Sequence, residues 1–148
     1  MPRFDHVGVI VDDLDAAVAF FLELGFEDGG RGMVEGEDVD RIVGLDGVRS
    51  EFAFVRTPDR SGSLELIKNH AAADTAGPQF LPANRLGYRH VAVEVEDLYG
   101  LVERLRVKGF GLVGEVRDYG NVYRLCYVRG PEGLIVELAE KLSSKGPG

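Results

Sequence analysis

Four side chains in this sequence combine the right chemistry with matched positions: His6, Glu65, His90 and Glu137. Each histidine opens an alternating stretch, His6 in FDHVGVIV and His90 in YRHVAVEV. Each glutamate sits between apolar neighbours, in Leu64-Glu65-Leu66 and Val136-Glu137-Leu138. An ionised carboxylate set among apolar residues is expensive unless something pairs with it, and two of them close together repel. A divalent cation removes both objections. Imidazole nitrogen with carboxylate oxygen is a mixed borderline and hard donor set, suited to Ni, Co, Mn, Fe or Zn. Four protein ligands on a six-coordinate ion leave two positions for a substrate, whereas a four-coordinate zinc would have none left.

The matched positions come from an internal repeat. At an offset of 84, residues 4–30 and 88–114 share 10 identities in 27 positions with no gap, among them His6/His90, Val7/Val91, Val9/Val93, Asp13/Asp97, Leu14/Leu98, Gly25/Gly109 and Phe26/Phe110. A fixed-offset match of this kind marks two copies of one structural unit. Each copy opens with a period-two stretch, which predicts a strand over 4–11 and again over 88–95. One face of the first strand carries Val7, Val9 and Val11, which call for a helix to cover them; the other carries His6, Gly8 and Ile10.

A helix follows in both copies. Asp12 or Asp13 caps the first and Asp97 the second, since a short carboxylate accepts hydrogen bonds from the free N–H groups of the first turn. Leu14, Ala17, Val18 and Phe21 form one helical stripe, and Leu98, Leu101, Val102 and Leu105 another, closed by Gly25 and Gly109. With the valines against the helix, the histidines point to the opposite, concave face. By the same alternation Leu64, Leu66, Val136 and Leu138 face the helix layer and Glu65 and Glu137 the concave side.

The rest of the first half predicts one short strand and a mobile loop over 26–47, a strand over 49–56, a turn at 57–62 and a strand over 63–68. Residues 69–87, with Pro78 and Pro82, form the connector, and His70 is taken as a loop residue. The second half predicts strands at 112–117, 122–128 and 134–139, a turn at 130–133, and a frayed tail over 142–148. Each half is thus strand–helix–strand–strand–strand. The histidine-to-glutamate spacing is 59 residues in the first half and 47 in the second, so the first half holds 12 extra residues between them. The fold class expected is α+β: a single domain over 1–148, with βαβββ modules at 3–68 and 88–140 forming a curved, incompletely closed mixed sheet around a metal cavity.

Composition narrows the function. Of 148 residues, 45% are apolar and 28% charged, with 17 basic against 25 acidic and a net charge of −8. An acidic chain without a basic cluster argues against nucleic acid and anionic membranes as partners. Cys126 is the only cysteine, so no disulfide forms within one chain and a reducing compartment is expected. The N-terminus has no apolar signal core and no apolar run approaches a membrane span, so a cytoplasmic protein is expected.

The paired βαβββ halves, the strands opening on DHVGV and RHVAV, and the closing GPEGLIVEL resemble the vicinal oxygen chelate superfamily, over about residues 3–140. That superfamily includes glyoxalase I, methylmalonyl-CoA epimerase, extradiol dioxygenases and the fosfomycin and bleomycin resistance proteins. In its metal-dependent members the ligands fall where His6, Glu65, His90 and Glu137 stand, and the full set is most similar to bacterial-type glyoxalase I. One departure is Ile10, at a position where glyoxalase I-like chains often carry an arginine for the glutathione carboxylate.

The resemblance implies a metal-dependent lyase or isomerase working by proton transfer α to a carbonyl, on a small oxygen-chelating substrate. The ion would act as a Lewis acid toward the enediolate, with Glu137 or Glu65 as base. The alternatives are a bleomycin-resistance-type binding protein and an Fe(II) extradiol-type dioxygenase. Arg124 and Tyr123, with Tyr127 beside them, are candidates to hold the substrate, and Glu94 shares a face with His90. A homodimer is expected, because short sheets leave open edges that pairing covers.

Overall fold

The computed structural model describes residues 1–142 and divides the chain into two compact units, Met1–Gly77 and Pro78–Gly148. Each unit holds one four-stranded mixed sheet, and the two sheets have the same topology: β1-β4-β3-β2 in the first and β5-β8-β7-β6 in the second. The architecture is α+β, as the repeat predicts.

The first unit runs β1 (Val7–Ile10), α1 (Leu14–Glu23), β2 (Glu27–Glu35), α2 (Glu37–Val43), β3 (Arg49–Arg56) and β4 (Ser63–Ala71). β1 pairs parallel with β4 in the register Val7↔Leu64, Gly8↔Glu65, Val9↔Leu66, and β3 runs antiparallel to both β2 and β4. Asp13 is the cap of α1, accepting from the Ala16 amide at 3.0 Å, and Gly25 ends it with φ of 105°. The helix lays Leu14, Ala17, Val18 and Phe21 on one face of the sheet, where Ala53, Val55, Leu64 and Leu66 are buried. Each such aliphatic or aromatic side chain contributes about 1.5–3 kcal/mol on burial.

The second unit runs β5 (His90–Glu94), α3 (Leu98–Val107), β6 (Arg117–Tyr119), β7 (Tyr123–Arg129), a single 3₁₀ turn (Pro131–Gly133) and β8 (Ile135–Lys141). Asp97 caps α3 from its side chain to the Gly100 amide at 3.1 Å. Leu98, Leu101 and Leu105 are buried with Val93, Cys126, Val128, Val136 and Leu138. β5 pairs parallel with β8, with Ala92↔Glu137 in the position that Gly8↔Glu65 holds in the first unit.

Several expectations are corrected. β1 starts at Val7 rather than residue 4: in the register Val7↔Leu64 only Ser63 of β4 remains ahead, so Phe4 and Asp5 have no partner in that strand. The segment 26–47 is not a loop with one short strand: it forms the nine-residue β2 and the helix α2. Two of its glycines serve packing. A Cβ on Gly32 would come within 2.6 Å of the Phe52 ring, and one on Gly29 would collide with the Arg56 guanidinium. α2 carries Glu37, Asp38 and Asp40 in its first turn, where they suit the helix dipole, and ends at Gly44 with φ of 77°. These additions lie between the histidine and the glutamate of the first half, where its extra length was expected.

β4 runs on to Ala71, so His70 is a strand residue and not a loop residue. Its Nε2 lies 2.9 Å from Glu51 Oε1. The strand expected at 112–117 is mostly absent: Leu112 makes one bridge to Val128, and pairing resumes at Arg117↔Leu125 two residues out of register. Leu142 is held, its amide donating to the Val122 carbonyl at 2.7 Å, while residues 143–148 lie outside the described residues.

Candidate functional site

In each sheet the helix covers one face, and the other sets one histidine beside one glutamate and an aromatic ring. In the first unit His6 Nε2 lies 3.3 Å from Glu65 Oε1; in the second His90 Nε2 lies 3.2 Å from Glu137 Oε1. The topology explains the match. β1 and β5 lie parallel beside β4 and β8, and the residue opposite each glutamate is small, Gly8 or Ala92, leaving space for the histidine two positions earlier. On the glutamate's other side stands an aromatic residue, Phe54↔Glu65 and Tyr127↔Glu137. The Phe54 ring meets His6 edge-on at 5.6 Å between centroids, and Tyr127 meets His90 at 4.8 Å.

These pairs fit a metal ion. Two donor atoms at about 2.1 Å from one ion stand about 3.0 Å apart at a right angle and about 3.4 Å apart at a tetrahedral angle. The observed 3.2 and 3.3 Å fall within that interval. The pairs are also accessible, with side-chain exposures of 33% for both histidines and 24% and 22% for Glu65 and Glu137. Among the described residues no three or more histidine, cysteine, aspartate or glutamate side chains gather in metal-binding range; each unit brings together one histidine and one glutamate.

The units differ behind the histidine. Asp5 Oδ1 lies 2.6 Å from His6 Nδ1, fixing the ring so that Nε2 faces Glu65. That hydrogen bond, the largest cause, raises the His6 pKa above its ordinary value; burial opposes it and Glu65 adds to it. In the second unit the corresponding residue is Arg89. A carboxylate on the far ring nitrogen orients a ligand histidine and raises its basicity.

The other candidates divide by face. Glu94 is on the His90 side of β5, 58% exposed, with Lys141 Nζ 3.5 Å from its carboxylate. Tyr123 lies four residues before Tyr127, about 13 Å along the strand at ~3.3 Å per residue, beside Lys141. Arg124 is on the opposite face from the His90–Glu137 pair. Its Nε binds Asp118 Oδ1 at 2.9 Å, its Nη1 lies 3.7 Å from Glu140 Oε1, and its guanidinium stacks 4.7 Å over Tyr99 of α3. Glu140 in turn accepts from the Leu98 amide at 3.2 Å, so Arg124 belongs to the anchoring of α3. The alternation that hides this is settled by burial: Cys126 and Val128 are buried, which puts Arg124 with them and Tyr127 with Glu137. Phe54 was missed, although the same alternation against Ala53 and Val55 marks it.

Comparison with known proteins agrees with this architecture. Residues 5–127 match the model of the glyoxalase/bleomycin resistance protein/dioxygenase superfamily, and the chain belongs to that superfamily. The crystal structure of a glyoxalase family protein from Bacillus cereus superposes with a TM-score of 0.91 at 43% identity, covering 96% of this chain and 95% of that one. The uncharacterised protein YwbC of Bacillus subtilis is 29% identical over 94% of this chain and 98% of its own length. A lactoylglutathione lyase of Schizosaccharomyces pombe is 24% identical over 94% of this chain, which spans 45% of that longer protein. No helix among the described residues is long and apolar enough to cross a membrane.

Proposed function

We propose that this protein is a metal-dependent lyase or isomerase that moves a proton at a carbon next to a carbonyl, on a small substrate bearing two adjacent oxygens. The observation that supports this reading is the repeated pair: His6 with Glu65 and His90 with Glu137, at 3.3 and 3.2 Å and at matched positions in two sheets of one topology. In this reading the two pairs, drawn from one chain or from two, together hold one ion of Ni, Co, Mn, Fe or Zn. When bound, such an ion polarises the substrate's oxygens as a Lewis acid and acidifies the neighbouring C–H.

The chain's own residues do the rest. The histidines present Nε2, with Asp5 holding the tautomer of His6. Glu137 takes the α-proton on its carboxylate and returns it, with Tyr127 beside it across the strands and packed on His90. Glu65, beside Phe54, is the symmetric alternative as base. A two-histidine, one-carboxylate dioxygenase needs more open positions than a set with two glutamates provides.

The test is solvent deuterium exchange into 2-oxo thiohemiacetals and α-substituted acyl thioesters, with metal-loaded parent and Glu137→Gln side by side. The proposal expects exchange in the parent and at least a 100-fold loss in the variant. No exchange in any substrate favours a ligand-binding protein, and parental exchange by Glu137→Gln moves the base to Glu65.

A further inference from the structure

We propose that Arg56 is the receptor for an anionic group on the substrate, a carboxylate, phosphonate or phosphate carried beyond the two chelating oxygens. Arg56 ends β3 on the helix-free face, two residues from Phe54 and on the same side as the His6–Glu65 pair. Its guanidinium lies 5.0 Å from the Phe54 ring centroid, and that ring lies 5.6 Å from the His6 ring. These two contacts bound the separation of guanidinium and imidazole at about 11 Å. A short organic acid spans that distance.

The guanidinium is held in place before any ligand arrives. Phe54 supports it through its π face, a contact that favours arginine. Nη1 donates to the Gly29 carbonyl at 3.0 Å. Gly29 has no Cβ, and one built there would strike the guanidinium and approach Phe54 Cβ to 3.0 Å. A cross-strand glycine, an aromatic shelf and one backbone hydrogen bond therefore fix the fork while using one of its five donors.

What it lacks is a close ion pair: Asp5 is near enough to feel its charge but not to bind it. Arg31 is paired with Asp15 at 2.7 Å, Arg106 with Glu103 at 2.6 Å and Arg124 with Asp118 at 2.9 Å. Among the described residues Arg56 forms no ion pair within 4.0 Å, and its side-chain hydrogen bond goes to a backbone carbonyl. A preorganised, half-buried guanidinium with free donors takes an oxyanion bidentately, which lysine cannot reproduce. Ile10, also on this face, is 61% exposed and offers no charge.

This inference rests on the metal-chelating reading of the same face, and the experiment separates the two. In Mn²⁺-loaded protein, dissociation constants are measured by calorimetry for 2-hydroxy diacids of four to six carbons and for 2-hydroxy monoacids of equal length. A phosphonate-tailed analogue distinguishes the two classes of anion. The parent is expected to prefer at least one anionic tail by about tenfold or more, as a charge-assisted hydrogen bond gives. Arg56→Gln should remove that preference and leave monoacid and Mn²⁺ affinities unchanged, and Arg56→Lys should recover it only in part. Absence of any preference in the parent, or its survival in Arg56→Gln, overturns the assignment. If the parent binds no metal, the chelate reading fails, and Arg56 is judged in metal-free protein: inorganic phosphate should shift its Nε–Hε resonance to saturation, and an unmoved resonance refutes the receptor.

Discussion

Replacing Asp5 by alanine isolates the residue behind a proposed ligand without touching the ligand itself. Asp5 accepts from His6 Nδ1 at 2.6 Å, and its own side chain is 89% exposed. Loss of a carboxylate behind a ligand histidine costs 10–100-fold in metal affinity. The exposure of Asp5 argues for the lower end, since water takes its place on Nδ1, so we expect a loss of about tenfold, or about 1.4 kcal/mol. The pH must be chosen with care. The same hydrogen bond raises the affinity of His6 for a proton, so at low pH removing Asp5 also relieves proton competition and masks part of the loss. Calorimetric titration with Ni²⁺, Co²⁺, Mn²⁺ and Zn²⁺ in turn at pH 8 avoids this. Arg89→Ala is the matched control in the second unit, where removing a cation beside His90 should not weaken binding. An Asp5→Ala affinity within twofold of the parent for every ion would refute the positioning role.

Three further predictions concern the rest of the molecule. Burial, the largest cause, pushes the Cys126 thiol up to about 11, so the native protein should react with a thiol reagent at pH 8 far more slowly than the denatured chain; equal rates would contradict the burial. The sign for stability follows. The folded state disfavours the thiolate, so this contribution is complete below pH 9 and falls as pH rises from 9 to 11, by about 2–3 kcal/mol in all, and Cys126→Ala should flatten that part of the denaturation profile. The protein is also expected to be a homodimer, read by light scattering as twice the 16.2 kDa chain at micromolar concentration; a persistent monomer would count against it.

The parts of the fold that were legible are those where burial and alternation agree. β3 falls on the residues expected, and both helices carry the expected aspartate caps and following glycines, because these signals are local. What was not legible depends on partners across the sheet. Gly29 and Gly32 look like loop residues until Arg56 and Phe52 are seen lying over them. The ladder break between Leu112 and Arg117 is a register effect that no local pattern reports. That each histidine stands beside its glutamate on the helix-free face was legible through the repeat. Arg124 was mis-assigned because in Tyr123–Arg129 both faces offer large side chains, and only the burial of Cys126 and Val128 decides between them.

The central claim is that the two pairs act as one ligand set. Elemental analysis of mildly purified parent, His6→Ala and His90→Ala tests it most directly. The account predicts one divalent ion per four-residue set in the parent and its loss in both variants, since removing either histidine breaks the same site. Two ions per chain in the parent, or parental metal content in either variant, would contradict it.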